Sequence, residues 1–443
     1  MDATPPRPTP SFGEATRTFA KIGLLSFGGP AGQIALMHKI LVDEKRWLDE
    51  PRFLHALNYC MLLPGPEAMQ LATYSGWLMH GVRGGLVAGL LFVLPGALVI
   101  TALSAIYLTV GHVTLVQGLL FGLKAAVLAV VLEALIKVSR RALKNGSMIV
   151  LAIAAFVAIA FLKLPFPLIV LVAAAIGALL HFAGLAPAGA RAADQADLVY
   201  AMPEWTKPSA RRFFTTLSIW LAVWFVPLAV MWLVLGPAHV FTAEATFFSK
   251  MAAVTFGGAY AVLAYVAQQA VEVHGWLKPD EMLTGLGLAE TTPGPLILVL
   301  VFVGFLGGAR LSALAPLSGG IAGAAVTLWF TFVPCFLWIF VGAPYVETVR
   351  NVRWLASALA AVTAAVVGII ANLAVWFALH VLFGTVGETA CGPFVLPVLD
   401  FGSVDWVAAG IAAGAGLALI RFKANMIVVL AVSALAGMAW QLA

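Results

Sequence analysis

Apolar runs dominate the chain, and their lengths sort into classes. Segments 84–109, 112–136, 318–342 and 355–381 can each span about 30 Å of hydrocarbon at ~1.5 Å per residue. Segments 147–163, 167–182, 404–420 and 425–441 are shorter spans, and 212–235 is one additional apolar helix. Segments 12–27, 30–43, 52–63 and 67–81, with their counterparts in the second half, are too short to cross alone. These short segments meet at "SFGGPAG" (26–32), "LPGPEAMQLA" (63–72), "TFGGAYA" (255–261) and "TTPGPLILVL" (291–300). Two prolines around a glycine break a helix. Hydrocarbon tolerates broken backbone only where protein or water satisfies the freed N–H and C=O groups. The pattern therefore predicts half-helices meeting at breaks, as re-entrant hairpins or crossing broken helices, with about thirteen spans in all.

The breaks repeat. Phe27 and Phe256 are 229 positions apart, and the same offset joins Lys21 to Lys250, Trp47 to Trp276, and Pro64, Gly65, Pro66 to Pro293, Gly294, Pro295. It also joins Gly28 and Gly29 to Gly257 and Gly258. Further on the register slips by ten, and Pro95 in "FVLPG" answers Pro334 in "TFVPC". Such matches between rare residue types indicate a duplication. Residues 1–10 read as a disordered polar start, 11–182 as the first repeat, 183–239 as a loop plus linking helix, and 240–443 as the second repeat.

Basic residues orient the chain. In the first half they cluster at Lys45, Arg46 and Arg52, at Arg83, at 137–144, and again at Arg191, Lys207, Arg211 and Arg212. Both ends of that half are expected in the cytoplasm, with the N-terminus inside and the linking helix inverting the second half. Arg350, Arg353, Arg421 and Lys423 fall in alternate loops as this requires, Lys278 and Arg310 do not, and loop 382–403 has no Lys or Arg. The expected fold is an all-α polytopic membrane protein with an inverted-topology repeat, an architecture of secondary transporters. Composition agrees: 62% of the residues are hydrophobic, 10% are charged, and mean hydropathy is +1.01. A soluble domain is about a quarter charged. The net charge of +5 is small for 443 residues and gives no footprint for nucleic acid. Cys60, Cys335 and Cys391 show no metal spacing and read as packing residues. No signal peptide is expected.

A helix that begins inside a membrane aims free N–H groups and partial positive charge at whatever precedes it. Restarts at Pro30, Pro66 and Pro295, plus one after Gly258, would gather four N-termini near the midplane, which makes an anion site. The candidate substrate residues are Lys21, Phe27, Gly28, Gly29, Pro64, Gly65, Pro66, Gln70, Lys250, Phe256, Gly257, Gly258, Thr291, Thr292, Pro293, Gly294 and Pro295. The lysines add full charges, and Gln70, Thr291 and Thr292 are neutral donors or interhelical glue. Lys21 could instead snorkel to lipid phosphates. Glu67, Glu290 and Glu133 are candidate proton carriers, Glu67 alternatively serving its own helix N-terminus.

The motifs "FGGPAGQIALMH", "EKRWLDEPRFLHAL" and "LPGPEAMQLATYSGW", with "TFGGAYAVLAY" and "LAETTPGPLILVLVFVGF", resemble those of the bidomain bacterial chromate transporter family over nearly the whole chain. The resemblance implies an inner-membrane exporter of chromate that confers chromate resistance; the movement of a dianion out of the cell points to membrane potential, a proton gradient or both as the driving force. The second half departs from the first at Leu296, which stands where Glu67 does, and at Ala259, opposite Pro30.

Chromate and sulfate are both tetrahedral dianions, so a sulfate or organic-anion permease is the alternative, and a channel is also open. A membrane oxidoreductase would need paired haem histidines, a Cys cluster or a nucleotide motif. None is legible, so neither enzyme activity nor a cofactor is expected. The expected partners are the anion and the bilayer, with a homodimer left open.

Overall fold

The structure, a computed structural model, describes residues 10–184, 204–256, 259–345 and 353–443 of the chain. The first half contains α1 (Phe12–Leu25), α2 (Gly29–His38), α3 (Glu50–Cys60), α4 (Glu67–Val110), α5 (Thr114–Ala142), α6 (Gly146–Ala160) and α7 (Phe166–Phe182). Helix α8 (Ala210–Val234) leads to α9 (Val240–Val254), α10 (Ala259–Ala267), α11 (Pro279–Glu290), α12 (Val299–Leu311), α13 (Pro316–Gly342), α14 (Arg353–Leu382), α15 (Trp406–Gly416) and α16 (Met426–Leu442). Helices α4, α5, α8, α13 and α14 are long and apolar enough to cross a membrane. The protein is an all-α, multi-pass membrane protein.

Local chemistry sets the helix ends. Ser11 starts α1 by accepting from the Glu14 N–H at 3.2 Å, and Asn145 starts α6 by accepting from the Met148 N–H at 3.0 Å. Such caps satisfy amides that have no partner within the helix. Helix α4 runs through the segments expected at 67–81 and 84–109, but it is bent between them: His80 (φ −136°) and Gly81 (φ 60°) leave helical geometry. Wide π-type turns extend α2 over Lys39–Glu44 and α10 over Gln268–Val273, at equivalent positions of the two halves.

The halves interlock. Helix α5 of the first half lies against α15 and α16 of the second, and α14 lies against α6 and α7. Small residues permit this. A Cβ on Gly122 would sit 1.9 Å from the Ser433 oxygen, and one on Gly368 would sit 2.0 Å from the Ala152 oxygen. Close backbone approach at small residues is how membrane helices gain contact without a hydrophobic driving force.

Loop 382–403 differs from a plain connection. β1 (Val386–Cys391) pairs antiparallel with β2 (Phe394–Leu399), turning at Gly392 with φ 62°. Thr389, Val395 and Phe394 suit strands, and glycine suits the turn. The hairpin rests on the α6–α7 connection through Val395 N–H to Phe161 O at 2.8 Å and Lys163 to Glu388 at 2.8 Å. It carries Cys391, which is exposed; only Cys60 and Cys335 are the packing residues expected of all three.

Candidate functional site

Each half ends its first helix in the same way. In α1, the Ser26 hydroxyl donates back to Ile22 O at 2.6 Å, and Phe27 N–H donates to Leu25 O at 2.9 Å. In α9, the Thr255 hydroxyl donates to Met251 O at 2.6 Å, and Phe256 N–H donates to Val254 O at 3.1 Å. The carbonyls of Ser26 and Thr255 then point across to the other half. Gly294 N–H donates to Ser26 O, and Gly65 N–H donates to Thr255 O, both at 2.8 Å. Each Pro-Gly-Pro loop is thus seated on the opposite half's broken helix. Each is also backed by a long helix of the opposite half. A Cβ on Gly96 of α4 would lie 2.0 Å from Pro293 O, and one on Gly65 would lie 2.9 Å from the Sγ of Cys335 on α13. Gly96 follows Pro95 and Cys335 follows Pro334, so the long helices meet the loops at corresponding places.

This geometry specifies the glycines. Gly28 (φ 85°), Gly29 (φ 69°), Gly65 (φ 123°) and Gly294 (φ 91°) are all left-handed or beyond, where a side chain is strained. The prolines are shifted from expectation. Helix α2 starts at Gly29, so Pro30 is its second residue, while Pro66 and Pro295 precede their helices in extended conformation. The Pro66 carbonyl accepts the first bond of α4, from Gln70 N–H at 3.1 Å. The first-turn amides of α2 and of α4 have no intrahelical partner. Those of Gly65 and Gly294 are occupied by the crossing, so in this conformation they tie the halves together instead of facing a ligand.

The other candidates separate. Pro64, Gly65, Pro66, Pro293, Gly294 and Pro295 are buried together with Gln70, whose Nε2 donates to Pro64 O at 2.7 Å. Phe27 and Phe256 are half-buried. The Thr291 and Thr292 hydroxyls donate to Leu288 O and Ala289 O, both at 2.8 Å, which closes the C-terminus of α11 and uses the hydrogens an oxyanion would need. Lys21 and Lys250 are exposed, not enclosed with the glycines, because each lies on the outer face of its helix. Gly257 and Gly258 lie outside the described residues. Of the carboxylates, Glu133 pairs with Lys137 at 2.6 Å and buried Glu290 accepts from Tyr260 Oη at 2.5 Å. Glu67 opens α4, half-buried, with no ion pair among the described residues.

Three residues escaped the sequence reading. Gln33 donates from Nε2 to Gly294 O at 2.6 Å, binding α2 to the opposite loop, and its Oε1 is buried without a partner among the described residues, as is that of Gln70. Tyr260 lies two residues after the second FGG break and holds Glu290. Glu244 is buried in α9 with neither oxygen hydrogen-bonded among the described residues. Each was visible as a polar residue inside an apolar run, but only tertiary structure shows what it faces.

Comparison with known proteins adds to this geometry. The chromate transporter family model matches residues 13–178 and 242–438. A chromate transport protein of Pseudomonas aeruginosa is 33% identical over 370 residues, covering 82% of this chain and 80% of its own. One of Cupriavidus metallidurans is 27% identical over 366 residues, covering 82% of both chains. An uncharacterized transporter of Bacillus subtilis is 31% identical over 173 residues, 38% of this chain but 87% of its own. No solved structure matches.

Proposed function

The chain belongs to the chromate transporter family, and we propose that it exports chromate from the cytoplasm across the inner membrane, lowering the internal concentration and conferring resistance. The reciprocal seating of each Pro-Gly-Pro loop on the opposite broken helix carries the mechanistic part of this reading. Two helix starts, α2 and α4, end beside this crossing with unpartnered first-turn amides. Parting the two 2.8 Å bonds releases the Gly65 and Gly294 amides as further donors for a tetrahedral dianion. Lys21 and Lys250, exposed on the helices leading to the breaks, attract the anion from solution. The two halves have opposite orientations, so that rocking one against the other opens the crossing alternately to each side.

Energetics favour the outward direction. One charge is worth roughly 2.3 kcal/mol per 100 mV, so a dianion leaving a cell at about −150 mV gains about 7 kcal/mol. Import of sulfate by the same site would need that much from coupling ions. Uptake of labelled chromate into everted vesicles, with sulfate as competitor, tests the reading. Voltage-driven accumulation that excess sulfate does not abolish is the expected result. No accumulation of chromate above that in vesicles without the protein overturns it.

A further inference from the structure

Glu244 sits four residues inside the start of α9, is 0% exposed, and has no hydrogen-bond partner at either Oε1 or Oε2 among the described residues. Its equivalent in the first half is Ala15, so the repeat does not require it. The fold makes room for it at two glycines on two different helices. A Cβ on Gly307 of α12 would lie 2.6 Å from Oε1, and one on Gly323 of α13 would lie 3.3 Å from Oε2. Trp276 closes the same crevice, its ring 3.1 Å from that Gly307 position.

The charged groups around it are committed or distant. Helix α13 has no Asp, Glu, Lys, Arg or His, and α8 has only Arg211 and Arg212, at its first turn. On α12, Arg310 is held by Glu281 through contacts of 2.7 and 2.6 Å. His274 stacks on Trp276 with ring centroids 4.4 Å apart, and Lys250 of α9 is exposed. Among the described residues an ionised carboxylate in so apolar a crevice has no counter-charge or donor, and such a group takes up a proton instead of remaining charged. Ionisation is compatible with the fold only if α9 separates from α12 and α13 and admits water.

We infer that Glu244 is a proton-binding site whose occupancy locks α9 onto the α12–α13 pair. Helix α9 ends at Thr255, whose carbonyl holds the Gly65 loop, so movement of α9 reaches the crossing directly. A proton arriving at the start of α9 closes this contact, and its release frees it. This rests on the transport reading for its consequence, but not for the proton site itself.

Infrared spectroscopy of the purified full chain tests the site without transport. A protonated-carboxyl band that titrates with pH is expected in the unaltered protein, absent in Glu244→Gln and displaced in Glu244→Asp, which withdraws the carboxyl from both glycines. Spectra in which neither variant alters any carboxyl band overturn the proposal. In vesicles, the ratio of uptake driven by a pH gradient to uptake driven by voltage is expected to fall at least tenfold in Glu244→Gln. An unchanged ratio overturns the coupling role. Failure of the unaltered protein to move chromate would instead overturn the transport reading and leave the infrared result standing.

Discussion

The described parts of 26–70 and 255–299 make the same crossing contacts and differ in chemistry. Both have a hydroxyl residue folded back on its helix, a carbonyl given to the opposite loop, and a glycine of positive φ receiving it. Yet Gln33, Glu67 and Gln70 of the first half correspond to Val262, Leu296 and Val299 of the second. The second half in turn has Tyr260 and Glu290 where the first has Ala31 and Met61. Backbone symmetry suits the movement of two halves about one crossing, because each state of one loop has a counterpart in the other. The side chains need not follow, since a single anion binds once. Among the described residues, the buried side-chain amides, Gln33 and Gln70, lie in the first half, and the buried carboxyls, Glu244, Glu281 and Glu290, lie in the second.

The largest expected effect is all-or-none. Glu44 and Val273 are equivalent, exposed positions at the ends of the two π-type turns. In a background lacking Cys60, Cys335 and Cys391, Glu44→Cys should react with an impermeant thiol reagent only from the cytoplasm, and Val273→Cys only from the opposite side. Reaction of both from one side would break the inverted relation between the halves.

Gly65→Val and Gly294→Val come next. Both impose a branched side chain on positive φ, a strain on the order of 1–3 kcal/mol. At Gly65 the new Cβ also meets Cys335 Sγ and Gln70 Nε2, both at 2.9 Å, whereas at Gly294 the nearest atom is Leu298 Cδ1 at 3.0 Å. Gly65→Val should lower chromate uptake by more than about a hundredfold, a loss exceeding ~2.7 kcal/mol, with Gly294→Val less severe. Equal and slight losses, at normal protein amounts, would show that the crossing does not govern transport.

These glycines were legible because a broken helix in hydrocarbon leaves a strong compositional mark, which recurs at a fixed offset. Helix lengths followed from the apolar runs for the same reason. The fate of the individual amides was not legible. Whether Gly65 N–H faces a ligand or a carbonyl depends on Thr255, which is far away in the chain. Thr291 and Thr292 read as donors for an anion, and only the end of α11 shows that their hydroxyls are used locally. The hairpin at 386–399 was not legible, because a loop free of Lys and Arg carries no sign of whether its strands pair.

Exposure changes the expectation for the lysines. An enclosed lysine contacting the anion would be worth about 1.5–3 kcal/mol. Exposed Lys21 and Lys250 act through screened attraction, so Lys21→Met and Lys250→Met should each reduce uptake only severalfold, by about 0.2–1 kcal/mol. Raising salt should shrink the difference from the unaltered protein, because screening weakens exposed charges first. A hundredfold loss that salt does not alter would place the lysines inside the site after all, in a conformation where the halves have moved.

An effect as small as that of the lysines is expected at Glu67, which has Leu296 as its counterpart. It is the first residue of α4, beside amides that would otherwise attract the substrate. Ionised, it complements its own helix dipole and repels a dianion; protonated, it can donate a hydrogen bond to one. We propose that it alternates between these states as the anion passes, which makes binding stronger as pH falls. The helix-end interaction that it relinquishes is worth roughly 0.3–1 kcal/mol, so the change in affinity should be about two- to fivefold. Glu67→Gln preserves shape and removes the titration. With no gradient imposed, chromate binding to that variant should lose its pH dependence, and the ratio of pH-driven to voltage-driven uptake should fall. Glu244→Gln, distant from the anion, should lower the ratio while leaving the pH dependence of binding in place. If Glu67→Gln keeps both the unaltered binding profile and the unaltered ratio, Glu67 only caps α4, and proton coupling passes to Glu244, Glu290 or Glu133.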